Sequence, residues 1–600
     1  MASTNEPASA CNIKLTTSAR YRTYTCGDIR EGNIGESIRL AGWVHSIRDH
    51  GGVMFVDLRD QYGVTQVVVG GEDALRLHKE SVISVSGTVR GRDEETYNPN
   101  IGTGKVELKA EAIETLGECS GTLPFEIESS KETKEELRLK YRYLDLRNPE
   151  VRDKMLLRTA VIKDLRERMD ALGFTEIQTP ILANSSPEGA RDYLVPSRKH
   201  HGMFYALPQA PQQFKQLLMV SGFDRYYQIA PCFRDEDARL DRSPGEFYQL
   251  DFEMAFATQD DVFAVAEQVL SGVFKRFADK PVTEPPYARI PYSEAMLRYG
   301  TDKPDLRNPL IIIDLSEFFA NVDFGPFRGK TVRAVRVPGA AAQPRSFFKS
   351  MEQYALGIGM KGLGYVTVQD DLSYKGPIDK FMSDGQKKEL AELCAGEGQE
   401  LGAGDVLYFI SDEPKAAAQF AGQIRTEVAT RLGLVDEGRY DFCFITDYPM
   451  YEWNEDAGKI DFTHNPFSMP QGEMDALLNK DPEEILAWQY DIVCNGVELS
   501  SGAVRNHRPD VMVKAFEIAG YDERTVEEKF GALYSAFGYG APPHAGMAPG
   551  VDRIVMLLSG DDNIREIIPF PLDSNARNLM LGAPSEVTEQ QLRDVHIKIR

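Results

Sequence analysis

Cysteine is scarce in this chain and is not arranged in pairs. The 600 residues contain seven cysteines, at positions 11, 26, 119, 232, 394, 443 and 494. An odd number without any C-x-x-C spacing argues against a disulfide framework and against a cysteine-based zinc site. The pattern favours a reducing environment, and we expect a cytoplasmic protein.

Long apolar runs are also missing. No stretch approaches the about 18 consecutive apolar residues that indicate a transmembrane helix, so we expect no membrane partner. The first residues, Met1–Pro7, lack a basic region followed by an apolar core, which argues against a secretory signal. Because no G-x-x-x-x-G-K-[ST] motif is present, a polyphosphate would have to be held without a contiguous phosphate-binding loop.

Positive charge is in deficit. The chain has 68 Lys and Arg against 92 Asp and Glu, which gives a net charge of −24. That balance opposes non-specific attraction to nucleic acid, but local patches decide specific docking, so we expect a nucleic-acid partner to follow a restricted basic track with salt-sensitive affinity. An apolar content of 42% with 27% charged residues is ordinary for a globular enzyme, and the length predicts roughly three to five domains.

Short alternating segments between residues 37 and 115 predict five β-strands: Ser37–Ser46, Val53–Asp60, Val64–Val69, Val82–Arg90 and Lys105–Ile113. Five strands of this length suit a small closed barrel of the oligonucleotide-binding (OB) type. In the second strand Phe55 shares a face with Asp57 and Arg59. An aromatic ring among charges could stack on a nucleobase, but an exposed phenylalanine partly covered by a loop fits the pattern equally well.

The remainder predicts a multidomain α/β protein. Helical periodicity indicates a helix over Pro149–Leu172, followed by a strand over Phe174–Leu182. Further strand-like segments are Phe442–Ile445, Ile492–Leu499 and Leu579–Leu581. The predicted order is a disordered tail (1–20), the barrel (21–123), a hinge (124–150), a mixed domain in two parts (151–299 and 436–584) around an inserted α+β domain rich in glycine turns (300–435), and a C-terminal extension (585–600).

Two arginine motifs are the most informative feature. Arg234-Asp235-Glu236-Asp237 follows an apolar run, and Gly550-Val551-Asp552-Arg553 opens a helix-like segment. Two guanidiniums brought together by folding could hold a polyphosphate, because each offers permanently charged donors that match phosphate oxygens. One such tetrapeptide alone is more often solvated surface.

These motifs, with the loop Pro187–Arg198 and the segments Tyr205–Gln216 and Glu246–Asp251, resemble class II aminoacyl-tRNA synthetases, specifically the bacterial-type aspartyl-tRNA synthetases. Three class signatures occur in order: Gly173 to Leu182, Phe233 to Asp251, and Gly546 to Arg553. The resemblance extends from about Tyr21 to Pro584. It implies an antiparallel-sheet catalytic domain, with L-aspartate and ATP forming aspartyl-adenylate before transfer to tRNA(Asp). It also implies a homodimer that meets along 174–182.

The resemblance assigns roles to particular residues. Arg234 would hold the α-phosphate and the substrate α-carboxylate, Glu236 would orient the adenine end, and Arg553 would clasp the γ-phosphate. Further ATP-binding positions are Asp235, Ser243, Glu498, Gly550, Val551 and Asp552. Asp491 and Glu498, at the two ends of a predicted strand, resemble Mg²⁺ ligands, and carboxylates are suitable ligands for that hard cation.

The resemblance to the family also assigns residues to the selection of aspartate. Lys215 and Arg505, with His464 beside them, would face the side-chain carboxylate; Glu188, Gln212 and Asp251 would accept from the ammonium, and Gln249 would contact the α-carboxylate. A site built on two cations should reject asparagine, because the neutral amide would leave buried charge unpaired. The chain departs from the pattern at Ala210, at Ser243 with the extra Gly245, and at Asn465.

On the barrel, Arg48, Phe55, Gln66 and Glu107 align with anticodon-reading residues, and His50 and Glu95 with positions that discriminate between tRNAs. Relatives with histidine at the position of His50 often accept both anticodons, which implies charging of tRNA(Asn) as well and a tRNA-dependent amidotransferase downstream. Three alternatives stay open: a strictly tRNA(Asp)-specific enzyme, an asparagine- or lysine-specific relative, and a synthetase-like RNA-binding protein without catalysis.

Overall fold

The computed structural model describes residues 20–51, 53–70, 77–185, 190–455 and 457–599. The chain forms two compact units, one ending at Pro124 and one beginning at Phe125. The predicted tail lies outside the described residues except for Arg20, and Glu188 also lies outside them. In the described part of the chain, no helix is long and apolar enough to cross a membrane.

The first unit is built on a closed barrel in the order β1-β2-β3-β5-β4. Its strands are β1 (Ser37–Asp49), β2 (Val53–Arg59), β3 (Val64–Gly70), β4 (Val82–Gly91) and β5 (Val106–Gly117). Alternate residues such as Leu40, Val56 and Val67 fill the interior, as the period-two pattern requires. The predicted OB-type barrel is confirmed.

The second unit begins with three helices, α1 (Glu135–Lys140), α2 (Arg142–Asp145) and α3 (Pro149–Ala171). The predicted hinge segment is closely packed here from residue 125 onward. Arg138 binds Asp145 at 3.0 Å and Glu566 at 2.7 Å, and Arg142 donates to the carbonyl oxygens of Ile568 and Pro569. The boundary between the compact units therefore falls at the start of that segment.

An eight-stranded sheet in the order β11-β17-β22-β23-β24-β10-β9-β6 forms the centre of this unit. Its first members are β6 (Thr175–Glu176), β9 (Arg225–Arg234), β10 (Gly245–Ala255) and β11 (Ala288–Pro291), and its later members are β17 (Phe442–Thr446), β22 (Gln489–Cys494), β23 (Val497–Val504) and β24 (His544–Met547). Most neighbours are antiparallel, whereas β6 with β9 and β11 with β17 are parallel. The predicted antiparallel-sheet domain is confirmed, with the two parallel pairs at its edges.

Helices and short hairpins surround this sheet. The helices are α4 (Gln212–Val220), α5 (Gln259–Phe277), α6 (Tyr292–Arg298), α11 (Glu473–Asn479), α12 (Pro509–Ile518), α13 (Glu523–Phe537), α14 (Val551–Ser559) and α15 (Glu589–Asp594). The short strands are β7 (Leu194–Pro196), β8 (Phe204–Ala206), β18 (Tyr448–Pro449), β19 (Tyr451–Asn454), β20 (Lys459–Phe462) and β21 (Leu486–Ala487). A core that includes Leu165, Phe263 and Ile554 joins α3, α5 and α14 to the sheet.

The predicted insertion, residues 300–435, lies within the connection between the parallel neighbours β11 and β17. It contains a five-stranded sheet of β12 (Ile312–Asp314), β13 (Thr331–Val337), β16 (Val406–Asp412), β14 (Gly364–Val368) and β15 (Tyr374–Lys375), in that order. Its helices are α7 (Ser316–Ala320), α8 (Arg345–Gly357), α9 (Asp384–Gly396) and α10 (Pro414–Leu432). Parallel neighbours need a long crossover connection, and here that connection is a domain with two apolar cores of its own.

Three strand predictions are wrong in detail. Only Thr175–Glu176 of the segment 174–182 pairs as a strand, because Pro180 lacks a donor and the residues after it are exposed. Leu579–Leu581 forms a turn. The predicted strand Ile492–Leu499 is the hairpin β22–β23, because Asn495 and Gly496 both adopt positive φ (53° and 81°), the geometry of a two-residue turn.

Candidate active site

A cavity of about 710 Å³ opens on the face of the eight-stranded sheet. It is lined by most of the residues that the sequence singles out, namely Gln212, Lys215, Arg234, Glu236, Ser243, Gln249, His464, Glu498, Arg505, Gly550, Asp552 and Arg553. The cations Lys215, Arg234, Arg505 and Arg553 are thus gathered in one cleft from positions up to 338 residues apart in sequence (553 − 215).

At one end of the cavity, two cations share a buried carboxylate that the sequence analysis missed. Lys215 Nζ lies 2.6 Å from Asp251 Oδ1 and 3.3 Å from Glu253 Oε2. The guanidinium of Arg505 donates to Glu253, with Nε 2.9 Å from Oε1. Glu253 is two residues after Asp251 on β10 and therefore points to the same face of the sheet. This strand alternation was the sequence signal from which a role for Glu253 could have been inferred.

The surroundings of these two carboxylates differ. Burial raises the pKa of Asp251, and the charge of Lys215 compensates only in part. Burial also opposes ionisation of Glu253, but Arg505 and Lys215 outweigh it and lower its pKa. Glu253 is therefore an ionised group that fixes the spacing of the two cations, because a buried charge is tolerated only when it is paired.

A buried hydrogen-bond chain lies behind Gln212. The Gln212 side-chain amide donates to Gln216 Oε1 at 2.9 Å, and Gln216 Nε2 lies 3.0 Å from His544 Nε2. His544 Nδ1 lies 2.8 Å from the Pro542 carbonyl oxygen, which can only accept, so we assign the proton to Nδ1 and the acceptor role to Nε2. Burial lowers the pKa of His544 to about 4, which keeps the ring neutral. The sequence analysis gave no role to Gln216, although it ends the quoted segment Tyr205–Gln216, and it missed His544, which lies two residues before the third class signature.

At the middle of the cavity, Arg234 ends strand β9. Its guanidinium carbon lies 5.0 Å from the centre of the Phe247 ring, and its buried Nε has no hydrogen-bond partner among the described residues. Asp235 does not line the cavity; its backbone amide donates to the Arg191 carbonyl oxygen at 3.0 Å. An arginine held on an aromatic face with an unused donor is suited to an incoming anion.

The other predicted nucleotide residues lie farther along the same face. Glu236 pairs with Arg242 at 2.5 Å, and Ser243 is buried with its hydroxyl donating to the Pro244 carbonyl oxygen. Asp552 uses one carboxylate oxygen for Arg158 and the other for the Tyr248 amide at 2.9 Å. Val551 packs its side chain into the core. Both residues thus contribute through the position of α14 rather than through a free side-chain group.

Arg553 stands at the far end of the cavity. Its Nη1 donates to the Glu498 backbone carbonyl at 2.6 Å, and its Nη2 lies 3.4 Å from Asp241 Oδ2. The Gly550 amide donates to the Leu499 carbonyl oxygen at 2.7 Å, which fixes the start of α14 against β23. Its Nε also donates to the Asp241 carbonyl oxygen at 3.4 Å, so the guanidinium is held at the cavity wall by two backbone acceptors and one side-chain acceptor.

Asp491 and Glu498 come from neighbouring antiparallel strands rather than from the two ends of one strand. Asp491 is fully buried and accepts from the hydroxyl groups of Tyr448, at 2.8 Å, and Ser501. Burial, followed by the nearby charge of Glu498, raises the pKa of Asp491 to about 8. Glu498 faces the cavity, and Arg553 and Lys303 outweigh its burial and lower its pKa.

This acidic pair fits a divalent cation that arrives with phosphates. Two carboxylates whose charges disfavour one another are oxygen donors for a hard cation, and Mg²⁺ commonly takes only one or two protein carboxylates and fills its shell with water and phosphate oxygens. Within the described ranges, no cluster of three or more His, Cys, Asp or Glu forms a complete protein cage. Two carboxylates leave most of the coordination shell of such an ion to water and phosphate oxygens.

His464 also lines the cavity, and the charged groups that act on it are Asp302, Glu498, Lys303 and Glu452 rather than Lys215 and Arg505. Its ring meets the Tyr448 ring edge-on with centroids 5.0 Å apart, and burial lowers its pKa. Asn465, one of the departures, uses its side-chain oxygen to accept from the Phe467 amide at 2.8 Å. Ala210 lines the cavity with no polar group of its own.

On the barrel, the predicted readers form one connected face. Arg48 donates to Asp57 at 2.7 Å and to Gln66 Oε1 at 3.1 Å, and Gln66 donates to Glu107 at 2.8 Å. Phe55 pairs across the strands with Arg48, and the ring of the exposed His50 meets it edge-on at 5.5 Å. Glu95 lies apart from this face in the 3-10 helix Glu94–Thr96.

Comparison with known proteins agrees with this geometry. Residues 134–574 match the family described as "tRNA synthetases class II (D, K and N)", and residues 38–116 match "OB-fold nucleic acid binding domain". The chain belongs to the class II tRNA synthetases. Within that class it falls among the aspartate–tRNA ligases, as its curated relatives indicate.

Two of those relatives match almost the whole chain. The "Aspartate--tRNA(Asp/Asn) ligase" of Erythrobacter litoralis is 55% identical and covers 96% of each chain. The "Aspartate--tRNA ligase" of Streptomyces coelicolor is 54% identical over 97% of this chain and 99% of its own. Among solved structures, an asparaginyl-tRNA synthetase from Pyrococcus horikoshii, complexed with asparaginyl-adenylate, has a TM-score of 0.57 at 21% identity, with 91% of this chain and 97% of that chain covered. That likeness concerns the fold.

Proposed function

We propose that this protein attaches L-aspartate to tRNA in two steps, and that it accepts both tRNA(Asp) and tRNA(Asn). The observation that carries the aspartate assignment is the pairing of Lys215 and Arg505 around the buried Glu253 at the closed end of the cavity. Glu253 neutralises one of these two cations. With Asp251 turned to the substrate ammonium, one net positive charge is left for a side-chain carboxylate, and the neutral amide of asparagine would leave that charge unbalanced.

In the first step, an oxygen of the aspartate α-carboxylate attacks the α-phosphorus of ATP, and the bond to pyrophosphate breaks. Arg234, with its unused donor, would hold the α-phosphate and the attacking carboxylate together. Arg553 would bind the terminal phosphate at the far end. The reaction depends on alignment and charge neutralisation more than on acid–base groups.

Asp491 and Glu498 would hold a divalent cation, which we propose to be Mg²⁺ and which supplies charge neutralisation on the phosphates when bound. At the opposite end, Asp251 would accept from the substrate ammonium. Gln212, fixed from behind by Gln216, would do the same. Lys215 and Arg505 would bind the side-chain carboxylate beside His464. In the second step, a ribose hydroxyl of the tRNA attacks the aspartyl carbonyl carbon and AMP leaves.

Adenylate formation is tested by aspartate-dependent exchange of pyrophosphate into ATP. We expect exchange with aspartate and at least 10³-fold less efficient exchange with asparagine, since sites that demand one polar partner discriminate by about 10⁴–10⁵. Absence of exchange from folded, tRNA-binding protein would instead support a synthetase-like RNA-binding protein.

Acceptance of tRNA(Asn) is supported by His50, which lies beside Phe55 on the reading face, and by relatives named for both tRNAs. Two Streptomyces relatives, 54% and 53% identical, are named "Aspartate--tRNA ligase", without a second tRNA in the name. An enzyme that charges tRNA(Asp) alone is therefore the second candidate. We expect purified tRNA(Asp) and tRNA(Asn) to be charged with labelled aspartate at rates within about tenfold, a difference of about 1.4 kcal/mol. Charging of tRNA(Asp) alone would establish the strict enzyme.

Phe55→Ala should weaken tRNA selection without slowing adenylate formation. Stacking of one base on an aromatic ring contributes about 1–3 kcal/mol, so KM for tRNA should rise roughly 10- to 100-fold. Aminoacylation measured against tRNA concentration tests this, with pyrophosphate exchange as the internal reference. Tyr62→Ala, which removes an exposed ring from the β2–β3 turn, is the matched control. A parallel fall in exchange would contradict the assignment of Phe55 to tRNA.

We also propose a homodimer in the cytoplasm. Ile181 and Leu182 in the predicted seam are exposed, as are Leu194, Met203 and Phe204 on the neighbouring hairpin, and contiguous apolar surface favours association. The six cysteines within the described residues form no disulfide. Light scattering of the purified protein tests the dimer.

If tRNA(Asn) is charged, a tRNA-dependent amidotransferase would act on the product.

A further inference from the structure

Lys303 belongs to the connection between the catalytic sheet and the inserted domain, yet its side chain lines the active-site cavity. Its Nζ lies 3.1 Å from Glu498 Oε2. Arg553 Nη1 lies 3.8 Å from Glu498 Oε1, the other oxygen of the same carboxylate. Glu498 is therefore held between one cation from α14 and one from residues 300–310, which we name the linking segment.

The linking segment is fastened to α10 of the inserted domain. Arg425, which is 1% exposed, donates to the carbonyl oxygens of Leu310 at 2.6 Å, Asn308 at 2.9 Å and Asp305 at 3.1 Å. The Asn308 side chain returns a hydrogen bond to the Arg425 carbonyl oxygen at 3.3 Å. Three acceptors on one buried guanidinium fix the path of the segment relative to the helix.

Close packing at both ends leaves the linking segment little room to move. A Cβ added to Gly300 would lie 2.3 Å from the Ala418 carbonyl oxygen and 2.5 Å from the Gly422 amide, both on α10. At the other side, a Cβ on Gly496 would lie 3.3 Å from Asp305 Cβ. Gly496 is in the turn between β22 and β23, the strands that carry Asp491 and Glu498. The segment is thus wedged between the inserted domain and the acidic hairpin.

We propose that the inserted domain fixes the position of Glu498 through the linking segment. In this proposal Lys303 is a positioning residue for the nucleoside triphosphate and its divalent cation. The proposal rests on the proposed function, because it takes the Glu498 end of the cavity as the phosphate end. Lys303 fixes the Glu498 carboxylate from the side opposite Arg553. Its ammonium, a compact point charge, is also suited to a phosphate oxygen.

If the Lys303–Glu498 ion pair served only to stabilise the fold, replacing Lys303 would lower the melting temperature and would not affect ATP use selectively. The Lys303 side chain is 41% exposed and that of Glu498 is 25% exposed, and Glu498 keeps Arg553 as a cation when Lys303 is replaced; partly exposed pairs of this kind contribute about 1 kcal/mol or less to stability. Replacing Lys303 should therefore leave the melting temperature nearly unchanged. A selective change in nucleotide use then cannot be attributed to loss of folding.

The experiment compares Lys303→Met, Lys303→Arg and Arg425→Lys with wild type. The exposed Lys388 on α9 supplies the control Lys388→Met. KM and kcat for ATP and for aspartate come from pyrophosphate exchange, and affinity for a non-hydrolysable ATP analogue, with and without Mg²⁺, comes from calorimetry. We expect Lys303→Met to raise KM for ATP about tenfold and to reduce the gain in affinity that Mg²⁺ provides. KM for aspartate should stay within twofold, and Lys303→Arg should restore most of the loss.

Arg425→Lys should give a smaller defect of the same kind, because a lysine lacks the planar fork with which Nε and Nη2 of Arg425 reach separate carbonyl oxygens. Unchanged ATP parameters in Lys303→Met, or an equal rise in both KM values, would overturn the role of Lys303. An Arg425→Lys enzyme with wild-type parameters would overturn the link to the inserted domain. If wild type itself shows no aspartate-dependent exchange, the proposed function fails rather than this inference, and analogue binding by Lys303→Met still decides the role of Lys303.

Discussion

Lys215→Ala should lower kcat/KM for aspartate in pyrophosphate exchange by about 10²–10³, which corresponds to about 3–4 kcal/mol. Lys215 is 2% exposed and contacts both Asp251 and Glu253. Its removal takes away a partner of the substrate carboxylate and leaves two buried carboxylates short of a cation, which costs about 3–5 kcal/mol when a buried pair is broken. KM for ATP and the affinity for tRNA should stay near their wild-type values.

The control for this variant is Lys163→Ala, which removes a lysine whose side chain is 77% exposed on α3. Thermal melting separates lost binding from lost folding, because the uncompensated carboxylates also lower stability. A Lys215→Arg enzyme keeps the positive charge and should retain more aspartate affinity than the alanine variant. If Lys215→Ala lost tRNA binding as severely as aspartate use, its assignment to the amino-acid end would be wrong.

Arg234→Ala should reduce kcat for exchange by about 10²–10³, since removing one positioned donor from a developing charge costs that much in comparable sites. Arg234→Lys should rescue little of this loss, because an ammonium lacks the planar fork that can join a phosphate to a carboxylate. The rate of exchange at saturating ATP and aspartate measures the effect on the chemical step.

Arg524→Lys is the matched control, because that side chain is 83% exposed on α13 and pairs only with a neighbour one helical turn away. Full activity of Arg234→Lys would mean that only a point charge is needed beside the Phe247 ring. Loss confined to KM for ATP, with kcat unchanged, would assign Arg234 to binding rather than to the reacting atoms.

The two variants act on separate parts of the cavity, the end that holds Glu253 and the middle. Lys215 belongs to a buried network of alternating charges with Asp251, Glu253 and Arg505. Arg234 stands apart, with one buried donor unused. We therefore expect the double variant to lose the sum of the two effects in free energy, because the two side chains share no hydrogen bond or ion pair in the described part of the protein and are proposed to bind different groups of the substrates. A double variant no worse than Arg234→Ala alone would show that the two groups act as one unit.

Much of the fold could be predicted because its helices and strands follow from local sequence patterns. Four of the five barrel strands begin at the predicted residue, and α3 ends within one residue of the predicted end, since alternation and helical periodicity depend on near neighbours. Phe174–Leu182 and Ile492–Leu499 were wrong for a local reason as well. Their apolar content resembles a strand, but Pro180 and the Asn495-Gly496 turn decide the backbone.

The candidate site likewise divides into features that the sequence predicts and features that only folding decides. The sequence by itself determined the family, and it predicted the groups that we propose for catalysis and tRNA reading (the motif cations, the acidic pair and the aromatic face of the barrel) through the resemblance of their segments to that family. Only the tertiary structure decided that Glu253 ties Lys215 to Arg505, that His544 supports Gln212 through Gln216, and that Lys303 of the linking segment reaches Glu498. The physical reason is that burial and ion pairing are set by contacts between residues distant in sequence, and no local pattern records which distant charge will be enclosed with which.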